Sequence, residues 1–595
     1  MSEPTGLAGA CHGRGACNRP GPRNDVRMVE ELITSDGTTP RRVADAYVQA
    51  LAQLDPLTAV YLGLNPEDDR LPDLSPAGAE AVAELARHTL AVLEEVEQAG
   101  AAEDEAERRC ARLLRERLTA ELAVHAAGEG YRAIRNLGSP VHNVRDIFTL
   151  MATETEQQWE VVGRRMARVP VALAQFRETL AEGVERGLLS GPRQVTTMVE
   201  QLGEWLEGEV PGGWFGGFVG KAPESLRPGL TEHAEAAIAA VAELRDWMRD
   251  VYGPAAADAP DTAGRERYGR WVRYWTGADL DLDEAYAWAW QEFHDLLAQM
   301  RAEAEKVRPG ADPMEAMKWL ETDGPAIAGA EPAREFLQGL MDQAINDLQG
   351  THFDLAEPVT RVESMIAPPG SAAAPYYTAP SLDFTRPGRT WLPTLGREGF
   401  PVWDLVSTWY HEGVPGHHLQ LAQWNYVADR LSTYQVSIGG VSANLEGWAL
   451  YAERLMDELG YLTDPGHRLG YLNAQMMRAL RVIVDIGMHV GLDFPADSPY
   501  RPGEPVLPDS AREFFGLYCG LSAEFLDSEL VRYLGMPGQA IGYKLGERAW
   551  LRGRAAARAA HEARGEVFDL KAWHMAALSQ GSLGLDDLVA ELAAL

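Results

Sequence analysis

Cysteine is scarce in this chain, whose 595 residues include only Cys11, Cys17, Cys110 and Cys519. So few thiols exclude a disulfide-stapled scaffold and are typical of the reducing cytoplasm. Long apolar runs are also missing, since no stretch reaches the roughly 18 residues that a membrane-spanning helix needs. The segment 1–25 is rich in Gly, Pro and Arg and lacks the apolar stretch of a secretory signal. We therefore expect a cytoplasmic protein that makes no membrane contact.

Basic residues are outnumbered by acidic ones. Lys and Arg total 54 against 88 Asp and Glu, which gives a formal net charge of −34. A surface of this sign repels nucleic acid and anionic membranes and favours solubility. Neither class of partner is expected.

Motifs of several common enzyme classes are absent as well. The chain contains no phosphate-binding Gly loop, no dinucleotide fingerprint and no Gly-x-Ser-x-Gly nucleophile elbow. Its chemistry, if it has one, must come from another kind of site.

Helical periodicity dominates what is present. Ala, Leu and Glu recur at helical spacing, often with Pro or Gly at the junctions, in 40–55, 76–125, 154–189, 229–252, 283–306 and 332–349. A chain this long exceeds what one hydrophobic core usually holds, so we expect more than one substructure. The predicted divisions are a disordered tail over 1–25, an N-terminal helical lobe over 26–270 and a second helical lobe with a small sheet over 271–595.

Two short strands and one loop stand out between the helices. Pro375–Pro380 and Arg389–Pro393 are the best strand candidates, with a Pro-Gly turn between them. An edge strand here could hold an extended peptide, and Tyr377 within it is a candidate substrate contact. The Gly- and aromatic-rich segment 212–220 is predicted to be a flexible loop.

The greatest density of chemically capable side chains is in Tyr410-His411-Glu412-Gly413-Val414-Pro415-Gly416-His417-His418-Leu419-Gln420. Imidazole is a standard zinc ligand, but the usual helical motif has its second His four residues after the first, where this chain has Pro415. On an unbroken helix, His418 would return to within roughly 20° of His411. A bulge at the Pro-Gly break would instead bring His417 to that place. Periodicity alone leaves both alternatives open.

A third ligand is expected on the next helical segment, 441–459. Glu446 and Glu453 are seven residues apart and share a face beside an apolar stripe. Two His with one Glu is a recurring catalytic zinc set, so Glu446 is the candidate third ligand. Glu453 is then placed to orient a ligand imidazole from behind.

A polar stripe follows on a third helical segment, in which Arg478, Arg481, Asp485 and His489 fall on one face among apolar neighbours. Two interpretations are open. The spacing of four residues allows Arg481 to pair with Asp485, and Asp485 with His489, as internal salt bridges. Alternatively the stripe faces the zinc, with an Arg binding a substrate carboxylate and His489 donating to a developing oxyanion. Tyr543 is a further candidate oxyanion donor.

The chain resembles the DUF885 family of bacterial proteins, which are similar to helical zinc metallopeptidases. The resemblance is carried by His411–Gln420 and Glu446–Glu453, with weaker matches near Leu54–Pro56, Ser381–Gly388 and Gly538–Gly546. The chain departs from it in having Asp383-Phe384-Thr385 where Asp-Gly-Ser is expected. The resemblance implies His417, not His418, as the second ligand. It also implies a mainly helical, two-lobed, zincin-like fold with a small sheet edging a deep active-site cleft.

These observations together predict a zinc-dependent hydrolase of peptide amide bonds. One Zn²⁺ per chain would be held by His411, His417 and Glu446, with Glu412 as general base and Tyr543 or His489 as oxyanion donor. One alternative is a hydrolase of a non-peptide amide in small-molecule metabolism. The other is a non-catalytic helical binding protein, for which Glu412 would have no purpose.

Overall fold

The computed structural model describes residues 38–100, 104–207, 212–368 and 374–595. The predicted tail over 1–25, with Cys11 and Cys17, lies outside these residues. Helices make up most of the described chain and strands make up two small sheets. The prediction of a mainly helical protein with a small sheet is confirmed.

Every regular element in the described part of the first half is a helix. Its helices are α1 Pro40–Leu54, α2 Pro56–Tyr61, α3 Pro76–Gln98, α4 Glu105–Ala126, α5 Pro140–Leu150, α6 Glu156–Met166, α7 Val169–Arg186, α8 Pro192–Leu206, α9 Gly213–Val219, α10 Arg227–Trp247, α11 Gly253–Ala256, α12 Arg265–Thr276 and α13 Leu282–Val307. A 3-10 turn, Glu129–Arg132, follows α4, and a π-helical turn, Met248–Tyr252, follows α10.

The second half begins with α14 Pro313–Thr322 and α15 Ala330–Leu348. Its strands are β1 Ala326–Ala328, β2 Val362–Ile366, β3 Tyr376–Thr378, β4 Gly388–Leu392 and β5 Gly399–Pro401. The remaining helices are α16 Leu405–Glu412, α17 His417–Tyr426, α18 Thr433–Val436, α19 Ser442–Glu458, α20 Pro465–Val490, α21 Pro508–Tyr518, α22 Ala523–Gly535, α23 Gly542–Ala563, α24 Leu570–Leu578 and α25 Leu585–Ala594. The 3-10 turns Glu357–Thr360 and Ala428–Arg430 precede β2 and α18.

Helix starts are set by local chemistry. Many helices begin with Pro in their first turn, where a missing backbone N–H costs nothing. Side chains cap others: Asp281 accepts from the first N–H groups of α13, and Asp464 does the same for α20. The long helix α20 is buried along most of its length, as its apolar composition predicts.

The described residues form two large hydrophobic cores and a small cluster of Trp424, Val427 and Leu431. The buried residues of one large core lie between Ile134 and Ala256, in or next to helices α5 to α11. The larger one joins residues 43–118 of α1, α3 and α4 to residues 268–592. The first helices of the chain therefore pack with its second half, and the predicted lobe boundary near residue 270 stays a prediction.

The three-stranded sheet has the order β2-β4-β3, with β2 and β4 parallel and β3 and β4 antiparallel. Strands β3 and β4 confirm the two predicted strands. Strands β1 and β5 form a separate antiparallel pair. On the described residues, β3 is an edge strand.

The predicted loop at 212–220 was wrong, because Gly213–Val219 is helical. Phe215 and Phe218 are three residues apart, and both are buried against the ring of Phe148. The burial of two aromatic rings stabilises this short helix by more than the conformational entropy that its glycines lose on folding.

Helices α19 and α23 cross at two glycines. A Cβ on Gly447 would lie 2.5 Å from the Cα of Gly546, and one on Gly546 would lie 2.0 Å from the carbonyl oxygen of Ala443. The two backbones are thus in direct contact, which fixes α23 against the helix that carries Glu446.

We expect Gly447→Ala to destabilise the protein by about 1–3 kcal/mol, because the added methyl group must push the two helices apart. Gly339 of α15 is exposed and has open space around its Cβ position. Gly339→Ala is the matched control and should stabilise by up to about 1 kcal/mol through helix propensity. Urea unfolding of both variants measures the difference; equal midpoints would contradict the close crossing.

Candidate metal centre

His411, His417 and Glu446 converge on one point. Their ligand atoms all lie within 4.8 Å of one another. Glu446 Oε2 is 3.4 Å from His411 Nε2 and 3.6 Å from His417 Nε2. The two imidazole rings are 4.8 Å apart and nearly perpendicular, at 85°. The structure thus brings together the three ligands predicted from the sequence.

The break between α16 and α17 brings His417 to this point. Helix α16 ends at Glu412, the Val414–Pro415 peptide is cis, and α17 begins at His417. The indole of Trp448 donates to the carbonyl oxygens of Pro415 and Gly416 at 2.9 and 3.1 Å. The position of Gly416 admits no side chain, because a Cβ there would lie 1.9 Å from the carbonyl oxygen of His411. The segment is therefore folded back tightly onto the last turn of α16.

A buried carboxylate orients the first ligand. His411 Nδ1 donates to Glu453 Oε1 at 2.8 Å, and the Ser407 hydroxyl donates to Glu453 Oε2 at 2.6 Å. With Nδ1 bonded to Glu453, Nε2 faces Glu446 and is the nitrogen that the neutral ring would offer to a metal. Burial alone would lower the pKa of His411, but its contacts with Glu446 and Glu453 raise it to about 9. Glu453 thus has the supporting role predicted for it.

Ser407 was missed by sequence reasoning. It lies four residues before His411 and so shares a helical face with it. That spacing was a usable signal, but a lone Ser in a helix does not stand out until its partner Glu453 is known.

Two separations in the cluster match those of a zinc site. In a tetrahedral zinc site with bonds of about 2.0–2.2 Å, neighbouring donor atoms are about 3.4 Å apart. The two separations measured from Glu446 Oε2 match this value. Glu446 Oε2 is also buried and accepts no hydrogen bond of good geometry. Its lone pairs are therefore available to a metal ion. Burial would raise the pKa of Glu446, but the facing imidazoles of His411 and His417 hold it well below its ordinary value.

Glu412 lies beside this cluster as a half-buried side chain. Burial raises the pKa of its carboxyl group, while the neighbouring charges of His417 and His411 lower it. Its carboxylate has no hydrogen-bond partner among the described side chains. A free carboxylate next to three converging ligands has the position of a general base.

Tyr543, on α23, is close enough to Glu446 for the charge of Glu446 to affect its pKa. Burial, and then the negative charge of Glu446, raise the pKa of the phenol. The guanidinium carbon of Arg481 lies 4.9 Å from the centre of its ring. The phenol has no hydrogen-bond partner among the described residues, which leaves it available as a donor.

His418 does not join the cluster, although it follows His417 directly. Its Nδ1 accepts from the Tyr377 hydroxyl at 2.9 Å and its Nε2 donates to the Val359 carbonyl at 2.7 Å. Burial lowers its pKa to about 4, so the ring is neutral. Nε2 thus ties α17 to the 3-10 turn that precedes β2, and Nδ1 ties it to strand β3. The hydroxyl of Tyr377 is committed to the same bond, so the structure does not support a substrate contact for it.

His489 and Asp485 lie away from the cluster, contrary to the interpretation in which they face the zinc. His489 Nδ1 accepts from the backbone of Ala263 and its Nε2 donates to the carbonyl of Tyr533. Asp485 Oδ2 accepts from the Tyr268 hydroxyl and from the backbone of Gly538. His489 is eleven residues beyond Arg478 on α20, about 16 Å along the axis. The two side chains join helices together.

Neither of the two predicted ion pairs in this stripe is present among the described residues. His489 Nε2 lies 3.6 Å from Asp485 Oδ1, but burial lowers the pKa of His489 to about 4, so its ring is neutral. Arg481 instead pairs with Glu529 at 2.8 Å and also donates to the Tyr533 hydroxyl. Glu529 is a stronger partner because its carboxylate accepts from the guanidinium at two nitrogens.

Residues 56–592 match a family described as bacterial proteins of unknown function (DUF885). The chain belongs to the DUF885 family. No curated protein matches the sequence. The family's function is undefined, so membership itself assigns no activity.

Two solved structures share the fold. One, from Colwellia psychrerythraea, is 20% identical and aligns over 93% of this chain and 98% of its own with a TM-score of 0.75. The other, from Shewanella oneidensis, is 17% identical and aligns over 93% and 99% with a TM-score of 0.69. Both are provisionally named as lipoproteins, the second of unknown function. At this identity the likeness shows the fold alone.

Within the described ranges, the longest and most apolar helices still fall short of what a membrane crossing requires. The predicted cytoplasmic location stays a prediction.

Measuring metal content tests whether His417 or His418 is the zinc ligand. After incubation with Zn²⁺ and desalting, the wild type should retain about one zinc per chain and His417→Ala almost none. His418→Ala should keep its zinc but lose roughly 1–3 kcal/mol of stability, because it leaves buried partners unsatisfied. Plasma mass spectrometry and thermal unfolding provide the two readouts; zinc lost from His418→Ala alone would reverse the ligand assignment.

Removing the charge that orients His411 should weaken zinc binding without removing a ligand. We expect Glu453→Gln to raise the zinc dissociation constant by about 10- to 100-fold. Glu458→Gln, on the same helix but in an exposed pair with Arg554, should leave it unchanged. Competition with a chromophoric chelator measures both constants, and equal values in the two variants would remove Glu453 from the site.

Proposed function

We propose that the protein is a zinc-dependent hydrolase that cleaves peptide amide bonds. The observation that supports this most directly is the uncommitted carboxylate of Glu412 beside three converging ligands. A structural zinc site needs its ligands but has no use for a free carboxylate next to them. The proposal includes a two-lobed, zincin-like arrangement in which the small sheet edges a deep cleft.

His411, His417 and Glu446 would hold the ion, with Glu453 and Ser407 fixing the orientation of His411. Bound there, zinc would polarise the scissile carbonyl group and lower the pKa of a water molecule. Glu412 would accept the proton of the attacking water and pass it to the leaving amine. The raised pKa of Glu412 suits this exchange, because its conjugate acid must also donate.

The phenol of Tyr543 would donate a hydrogen bond to the oxygen on which negative charge develops. Its neighbour Glu446 is a proposed ligand, so the phenol would lie close to a carbonyl group bound at the metal. Hydrogen bonds to a developing oxyanion act most strongly where water is excluded, and Tyr543 is half-buried. We do not extend this role to His489, whose two nitrogens are both occupied.

Substitution of the base tests the proposal. We expect Glu412→Gln to lower kcat by about 10²–10⁴-fold on a library of short peptides, with zinc content unchanged. Glu398→Gln, at an exposed loop position, is the control and should keep full activity. If zinc-loaded wild-type protein hydrolyses acylated amines but no peptide, the non-peptide amide hydrolase is correct. If it hydrolyses neither, the binding protein is the better interpretation.

A further inference from the structure

Arg478 is an exception among the cations of helix α20. Arg468 pairs with Asp457 and with Glu303, and Arg481 pairs with Glu529. Arg478 forms no ion pair among the described residues. Its one side-chain hydrogen bond, at 3.1 Å, goes from Nη1 to the carbonyl of Ala474 in its own helix. Its Nε is buried without any partner.

Arg478 has no ion pair in the part of the chain that the structure describes, although the chain is rich in carboxylates. Acidic residues outnumber basic ones by 88 to 54, so carboxylates are abundant. A half-buried guanidinium loses hydration that an ion pair would normally replace. The donors of Arg478 are therefore available to an anion that is not part of the chain.

The position of Arg478 indicates where that anion would bind. Helix α20 packs against α16, the helix that carries His411 and Glu412. Arg478 is one turn before Arg481, whose guanidinium carbon lies 4.9 Å from the centre of the Tyr543 ring. The charge of Arg478 also acts on Glu412 and on Tyr543. The guanidinium thus lies within electrostatic reach of the candidate base and of the candidate oxyanion donor.

Among the neighbouring cations that the structure describes, Arg478 is the one with donors available to bind an anion. Arg481 is nearer the ring of Tyr543, but Glu529 and the Tyr533 hydroxyl occupy its donors. Glu412 itself does not pair with Arg478, since no ion pair between them is present. A base held in a salt bridge would be a poor proton acceptor, so their separation is consistent with both roles.

We propose that Arg478 binds the free α-carboxylate of the substrate, which makes the protein a carboxypeptidase-type enzyme that cleaves near the C-terminus. A guanidinium fork matches a carboxylate with two parallel hydrogen bonds. Anchoring that group beside Glu412 places an amide bond close to the C-terminus at the site of hydrolysis. This inference rests on the proposed function and names its substrate class: acyl-amino acids, whether peptides or simple N-acyl amino acids.

Matched substrates test the inference. Each peptide is assayed as the free acid and as the C-terminal amide, beside an N-acyl amino acid and its amide, on zinc-loaded protein. Wild type should favour the acids by about 10- to 100-fold in kcat/KM. Arg478→Met should lose that preference, mainly through a higher KM for the acids, so that acid and amide are cleaved with similar kcat/KM. Arg478→Lys should recover part of the preference, and Arg308→Met, at an exposed position without an ion pair, should behave as wild type.

Binding to an inactive variant separates this inference from the proposed function. Calorimetry on zinc-loaded Glu412→Gln should show tighter binding of the acid than of the amide, and Arg478→Met in the same background should abolish the difference. If the acid binds more tightly but wild type cleaves nothing, the carboxylate site stands and the hydrolase does not. If wild type cleaves acids and amides equally, or Arg478→Met weakens both equally, the inference is overturned and the hydrolase stands.

Discussion

The site depends on the close contact between Gly416 and the carbonyl of His411. Because no side chain separates them, the chain after α16 folds back on itself, and the indole of Trp448 holds the turn from the opposite side. Trp448 lies two residues after Glu446 on α19. The same helix therefore supplies the third ligand and secures the turn that delivers the second.

The same geometry places a partner beside each buried carboxylate of the site. Glu446 is ionised because two imidazoles face it, and Glu453 is buried against His411 and Ser407. Groups nearby on α20 and α23 are similarly compensated: Lys544 contacts Glu292, Glu547 and Gln475, all within hydrogen-bonding distance. Against this background of satisfied charges, the free groups Glu412 and Arg478 are conspicuous. They are the two groups to which we assign chemistry and substrate binding.

Local patterns in the sequence predicted most of the helices, strands β3 and β4, and the cluster residues His411 and Glu446, while the resemblance to the DUF885 family implied His417. They could not decide between His417 and His418, because that choice depends on a backbone turn and on Tyr377, which is 41 residues away. Helical spacing suggested Asp485 as the partner of Arg481, but Glu529 lies 48 residues away and offers better geometry. The segment containing Phe215 and Phe218 was misassigned because its glycines signal a loop, while the core into which its rings pack is invisible to local sequence.

The larger hydrophobic core has a consequence for synthesis of the chain. Its apolar residues run from Val43 in α1 to Leu592 in α25, so the first helices contact the last. During translation, α1, α3 and α4 leave the ribosome long before the residues that cover them. The buried residues of the smaller core, between Ile134 and Ala256, are all synthesised much earlier, so this core can form before the larger one. The nascent chain must therefore keep its first helices soluble, alone or with a chaperone, until the final helix has been made.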